Sequence, residues 1–260
     1  MVKAIRVELH AHSDYSPDGA IGFDALIRWA RRRGLDAVAI TDHDTLEGAR
    51  DYRRMARRLG APVEILVGEE RTLEDGRHLI GLLLEEPLAA ATFEEALAEI
   101  AGQGGLAVLP HPFRPDGAAA VLGQGPVRAA FEIFNPKCSA AENRAARSLL
   151  ERGLTPVGGS DAHYASELGE SVNLIAWRGD VEASLREALA GGGPERVLGI
   201  VQAEGPGRRY APLYYRLRPW LPLPRALRPA ARRLYARWRE WVLRKPRALE
   251  EKYGHGVGVA

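Results

Sequence analysis

The sequence predicts a parallel α/β barrel of seven or eight strands, and three observations carry that expectation. Short apolar runs alternate with segments whose apolar residues recur at helical spacing. Several of the runs end in histidine or a carboxylate, as strands do when their C-terminal ends carry an active site. With 260 residues, 46% of them apolar, the chain can bury one large core.

The first element is a strand over residues 5–9 that opens into Glu8-Leu9-His10-Ala11-His12-Ser13-Asp14-Tyr15-Ser16-Pro17-Asp18-Gly19. Strand residues two apart point the same way, so His10 and His12 present two imidazoles to one point. Phe23, Leu26, Ile27 and Ala30 then recur at helical spacing, and the basic turn Arg31-Arg32-Arg33 followed by Gly34 marks a helix C-terminus. Residues 36–40 form a near-continuous apolar run, as in a buried parallel strand, ending in Thr41-Asp42-His43-Asp44. A helix over 46–59 leads to a strand over 63–67, which ends in Gly68-Glu69-Glu70.

The next strand, 77–84, is unusual in carrying its histidine, His78, near its beginning. Thr92 and Glu95 form a capping-box pattern ahead of Leu97 and Ile100. A strand over 106–109 delivers Pro110-His111-Pro112, and a strand over 130–134 is followed by a helix over 139–152. Residues 155–160 run into Asp161-Ala162-His163, a second pair two apart, and 171–177 is expected to be the last strand.

The single cysteine, Cys138, has no partner for an intramolecular disulfide, and the N-terminus lacks the apolar core of a signal peptide, so a cytoplasmic location is expected. No run approaches the roughly 18 apolar residues of a membrane span. Charge is unevenly spread: residues 205–252 hold fourteen Arg and Lys against three Glu, leaving the remainder acidic within a net charge of +2. Two regions are therefore expected, a barrel over 1–204 and a basic, Pro- and Arg-rich extension over 205–260. In the extension Leu227, Ala231, Leu234, Trp238 and Trp241 have the spacing of an amphipathic helix. Its stripe could dock on the barrel, its arginines and aromatics (Tyr210, Tyr214, Tyr215, Trp220) could grip nucleic acid, or the helix could lie on an anionic membrane surface.

Six of the seven histidines, His10, His12, His43, His78, His111 and His163, fall on or just after predicted strands, with Asp18, Glu70 and Asp161. Imidazole plus carboxylate without thiolate suits divalent ions such as Mn, Zn or Fe. Nine candidate ligands exceed what one ion uses, so two to three ions are expected, with Glu70 placed to bridge a pair. Asp42 and Asp44, flanking His43, are expected to orient imidazoles through their other ring nitrogen. Arg114, in the loop after His111, is a candidate phosphate grip or a surface salt bridge, and Asn135 and Lys137 are similarly placed.

Together the segments Glu-Leu-His-Ala-His-Ser…Ser-Pro-Asp-Gly, Ala-Ile-Thr-Asp-His-Asp-Thr, Gly-Glu-Glu, Pro-His-Pro and Gly-Ser-Asp-Ala-His resemble, in order, the motifs of the polymerase and histidinol phosphatase (PHP) family. The similarity is greatest to its stand-alone nucleotide phosphatase and RNA exonuclease branch, and it runs from about Val7 to Trp177. The resemblance implies a distorted (β/α)7 barrel with a three-metal cluster. It implies that His10, His12, Glu70 and Asp161 hold one ion, Glu70, His78 and His111 a second, and Asp18, His43 and His163 a third. Phosphoester hydrolysis by metal-activated water follows, with Asp161 or His163 managing the proton. The substrate would be a small phosphomonoester or a short oligonucleotide. One departure is that residues 85–105 have room for a single barrel helix and not for the helical insertion of the nucleotide phosphatases. The rival readings are an amidohydrolase-type C–N hydrolase and a non-catalytic, metal-stabilised module that binds RNA or a partner through its tail.

Overall fold

The computed structural model describes residues 3–121, 128–189 and 197–202. The basic extension, with its expected amphipathic helix, lies outside them.

Strand β1 (Ala4–Ala11) pairs in parallel with β2 (Ala37–His43), and β2 with β3 (Glu64–Thr72). Between them lie α1 (Phe23–Arg32) and α2 (Glu47–Leu59). Helix α2 ends at Gly60, whose φ of 59° supplies the left-handed C-cap that a side chain would resist. Strand β4 (His78–Leu82) then runs antiparallel to both β3 and β5 (Leu106–Leu109). Helix α3 (Phe93–Gly102) starts with the expected Thr92–Glu95 capping box. Strands β5, β6 (Ala130–Phe134) and β7 (Thr155–Gly158) are again parallel. The described residues end with β8 (Ser171–Ala176), α5 (Val181–Leu189) and β9 (Val197–Gln202). Among the described residues the order β7-β6-β5-β4-β3-β2-β1-β8-β9 makes one sheet of nine strands that curls nearly closed.

Three expectations need correction. The sheet is mixed, because only Leu73 to Arg77 separate β3 from β4, too few residues for a helical crossover, so β4 must return antiparallel. Strand β8 also reverses, pairing antiparallel with β1, since residues 159–170 carry a three-residue 3₁₀ turn and no α-helix. It is not the last strand, because β9 pairs with its other edge. The helix expected over 139–152 is α4 (Ala140–Ala146), which tightens into a 3₁₀ segment (Arg147–Arg152).

Two apolar layers follow from the period of two along each strand. Val38, Ile40, Ile65 and Val67 face the helices, whereas Val7, Ala39, Leu66, Ile80, Leu82 and Val108 form an interior cluster. By the same period His43, Glu70 and His78 share the interior face with Ala39, Leu66 and Ile80. Strand β8 ends opposite the start of β1, at Ala4↔Ala176, so α5 begins at the end of the barrel remote from these residues. Its apolar side (Val181, Leu185, Ala188, Leu189) joins the interior cluster from there.

No ladder joins β7 to β8, and a side chain spans the gap. Asn173 on β8 accepts from the Gly158 N–H at 2.8 Å and donates to the carbonyls of Gly158 (2.8 Å) and Val7 (3.2 Å). A Cβ on Gly158 would meet Ser171 Oγ and Ile200 Cγ2, so both side chains would have to shift to admit one.

Candidate metal centre

Strand β1 delivers His10 and His12, both fully buried, through an irregularity in its register with β2 between Glu8 and Ala11. Their Nε2 atoms lie 3.1 Å apart, and each is 3.1 Å from Glu70 Oε2. Asp161 Oδ1, from the loop after β7, is 3.6 and 3.5 Å from the same two nitrogens. The other oxygen of Glu70 serves a different group: Oε1 is 2.9 Å from His78 Nδ1 and 3.0 Å from His111 Nε2. A third group gathers at Asp18 Oδ2, which is 3.1 Å from His163 Nε2 and 3.4 Å from His43 Nε2. The fold thus brings all nine predicted residues together at one end of the barrel.

The odd position of His78 at the start of its strand is explained by direction. An antiparallel β4 begins where β3 ends, with His78 opposite Thr72, so its first residue reaches the level that parallel strands reach with their last. His111 and Asp161 sit just past strand ends with φ of 31° and 51°, a conformation uncommon for residues other than glycine, and turn their side chains back into the cluster.

Donor chemistry and geometry both fit divalent cations. His78 Nδ1 lies 2.9 Å from Glu70 Oε1 yet makes no hydrogen bond, as expected where lone pairs converge on a common point. The buried Nδ1 atoms of His43, His78 and His111 have no hydrogen-bond partner among the described residues. Nitrogen and oxygen donors without sulfur suit Zn, Mn or Fe. In the metal-free protein the two kinds of group hold each other's charge. Burial opposes ionisation of Glu70, yet the His10 and His43 charges outweigh it and keep the carboxyl well below its ordinary range. Asp161 is likewise held low against burial, with His10 the leading cause. Burial also opposes the charge on His12, but contacts to Asp161 and Glu70 raise it to about 10.

Several supporting residues differ from expectation. Asp42 and Asp44 do not orient imidazoles. Asp42 accepts from Ser13 N and Ser13 Oγ at 2.6 Å each, and Asp44 accepts from Thr72 N at 2.8 Å, so they fasten the β1 loop and the end of β3. The carboxylate behind His10 is instead Glu132, 2.7 Å from Nδ1. Asp116 was also not anticipated: its carbonyl accepts from His78 N at 2.8 Å, and its Oδ1 is 3.4 Å from His111 Nδ1. Glu8 gathers the backbone N–H groups of His10, Ser160 and Gly169, and burial pushes its carboxyl up to about 7 despite them. Glu132 was legible as a lone charge inside an apolar strand and Glu8 as a carboxylate between Val7 and Leu9, whereas Asp116 lies in a loop with no such signal.

Arg114 lies at the rim and spans two carboxylates, Asp161 Oδ2 at 2.9 Å and Asp116 Oδ2 at 2.7 Å. Asn135 is buried and donates to Glu132, and Lys137 pairs with Glu167 at 2.8 Å. Among the described residues no helix is long and apolar enough to cross a membrane.

Fold and site together define a mixed α/β barrel whose mouth is lined with clustered His, Asp and Glu side chains that could hold divalent metal. Comparison with known proteins agrees: the PHP domain model matches residues 8–108, and a PHP-associated model matches 140–193. An uncharacterized protein of Methanocaldococcus jannaschii is 33% identical over 122 residues, covering 43% of this chain and 70% of that protein. The chain belongs to the PHP family. A phosphoribosyl 1,2-cyclic phosphate 1,2-diphosphodiesterase of Eggerthella lenta is 38% identical over 84 residues, 30% of this chain and 31% of that one. The fold resembles a two-domain Bacteroides vulgatus protein containing a predicted PHP-like metal-dependent phosphoesterase. The TM-score is 0.57 at 23% identity, covering 73% of this chain and 63% of that chain. The match therefore spans less than two thirds of these last two proteins.

Proposed function

We propose that the protein is a metal-dependent phosphoesterase that hydrolyses a phosphomonoester, such as a nucleotide, or the terminal phosphoester of a short oligonucleotide. The observation that carries this reading is Glu70, whose two oxygens each face a separate group of imidazoles, the arrangement a pair of bridged ions requires. His10, His12, Glu70 and Asp161 would hold one ion, Glu70, His78 and His111 a second, and Asp18, His43 and His163 a third. When bound, such ions supply Lewis-acid charge to the phosphoryl oxygens and make water acidic enough to attack near neutral pH.

The chain's own groups do the rest. His163 donates its Nδ1–H to the Asp161 carbonyl at 2.8 Å, an acceptor only, which leaves Nε2 with its lone pair turned toward Asp18. Asp161, whose Oδ2 is turned toward Arg114, would take the proton released as water attacks, His163 Nε2 being committed to the third ion. Arg114, already aligned by Asp116 and Asp161, offers a planar guanidinium to a phosphoryl group entering at the rim. The diphosphodiesterase similarity supports phosphoester chemistry and leaves the substrate of this chain to experiment.

The test is release of phosphate or mononucleotide from nucleoside monophosphates, 3′,5′-bisphosphates, 5′-phosphorylated oligonucleotides and sugar phosphates, with Mn and with chelator. Chelator-sensitive turnover of one class is expected. No turnover across the panel, in protein shown to carry its ions, would overturn the reading in favour of a non-catalytic binding module.

A further inference from the structure

Strand β6 contributes no ligand, yet it carries a buried carboxylate directly beneath the cluster. Glu132 is 1% exposed and makes three polar contacts, each of 2.7 Å: Oε1 with His10 Nδ1, and Oε2 with His111 N and Asn135 Nδ2. Two of these partners are donors without ambiguity. The His111 contact is a backbone N–H, and Asn135 has its carbonyl oxygen engaged by Lys137 N at 2.8 Å, which turns its amide NH₂ toward Glu132. The third contact is with a ring whose opposite nitrogen, Nε2, faces Glu70 and His12. Space has been cleared for this carboxylate, since a Cβ on Gly159 would overlap Glu132 Oε1.

We propose that Glu132 is a positioning residue that fixes His10 with its proton on Nδ1 and its lone pair on Nε2, and through its second oxygen ties His10 to His111 so that two ion sites are held in register. The physical reason is that a carboxylate accepts at both oxygens. It can take the Nδ1–H of His10 at one oxygen and two further N–H groups at the other, with nothing left unpaired. His10 and His111 are then linked twice, behind through Glu132 and in front through the two oxygens of Glu70.

This makes Glu132→Gln informative. A glutamine keeps the volume but must turn one NH₂ group toward donors. At the Oε2 position it would oppose two of them. At the Oε1 position it opposes only His10 Nδ1, and that conflict is relieved if His10 moves its proton to Nε2. The latter is the cheaper arrangement, and it removes the lone pair that His10 would give to an ion.

The proposal rests on the ligand set assigned above but not on turnover, so its test reads proton location and metal content. Zinc-loaded protein with ¹⁵N-labelled histidine should show His10 protonated at Nδ1, with that proton slow to exchange, and Nε2 without one. In Glu132→Gln the proton should sit on Nε2. Zinc affinity at the sites served by His10 and His111 should fall roughly 10–100-fold, the usual effect of losing such a partner, while the group of Asp18, His43 and His163 keeps its zinc. A wild-type His10 lacking the Nδ1 proton would overturn the proposal, as would a Glu132→Gln protein with wild-type zinc content. So would a variant that loses all its zinc together with its cooperative thermal transition, which would make Glu132 a folding residue only. Absence of phosphoesterase activity in wild-type protein would count against the proposed function and leave this assignment untouched.

Discussion

Cys138 shows how the surroundings of the centre set the behaviour of a single residue. It is partly buried beside the site, and burial, with the nearby Glu132 charge adding to it, pushes its thiol up to about 12. At pH 8 the thiolate, which is the reactive form, is then on the order of 10⁻⁴ of the population, against roughly a quarter for a free cysteine. Iodoacetamide should label native protein at least about 100-fold more slowly than unfolded protein, with the native rate rising steeply at higher pH; equal rates would contradict this account. At the same scale, legibility divided by position. Eight of the nine cluster residues could be read from the sequence because they lie at or just past the ends of apolar runs, or at the start of one, and Asp18 in the loop after β1 was carried by the Ser-Pro-Asp-Gly motif. Asp42 and Asp44 were misassigned because adjacency to His43 in sequence does not say which way a carboxylate turns. Their partners, Ser13 and Thr72, lie about 30 residues away in the chain.

Among the elements, the instructive features are strand direction and the seam. The reversal of β4 was legible in the short stretch, 68–76 by the expected bounds, between it and β3, but an alternating pattern of helices and strands favours the parallel reading unless connection lengths are counted. Strand β9 is readable as the apolar run Val197-Leu198-Gly199-Ile200-Val201, which lies beyond the end of the resemblance near Trp177. The seam was not legible, since no pattern marks an asparagine that bridges strands 15 and 166 residues away. Asn173→Ala removes three hydrogen bonds from that buried gap. It is expected to cost about 3 kcal/mol, seen as a lower denaturant midpoint with little change in slope. A loss below about 0.5 kcal/mol would show that β7 and β8 are held by apolar packing alone.

At the scale of the molecule, the centre gathers side chains from both halves of the sheet, from His10 to His163. On the proposed ligand set, ion binding would cross-link strands that the unfolded chain holds apart, and its free energy would add to folding. At ion concentrations about 1,000 times the dissociation constant this amounts to about 4 kcal/mol, so exhaustive chelation should lower Tm by roughly 10 °C. Readdition of Mn or Zn should restore it, and an unchanged Tm would mean that the cluster is a minor contributor to stability.

The hairpin of β3 and β4 also bears on how such a centre can tolerate change in the gene that encodes it. Glu70 and His78 are only eight positions apart, but they are fixed by the ladder and not by the turn that links them. Codons inserted or deleted within residues 73–77 would lengthen or shorten the turn and leave both side chains in place. A single-residue slip within the ladder would send His78 to the opposite face of the sheet. Length variation can therefore accumulate at the rim of the barrel, a few ångströms from the cluster, where it could reshape the entrance without disturbing the centre itself.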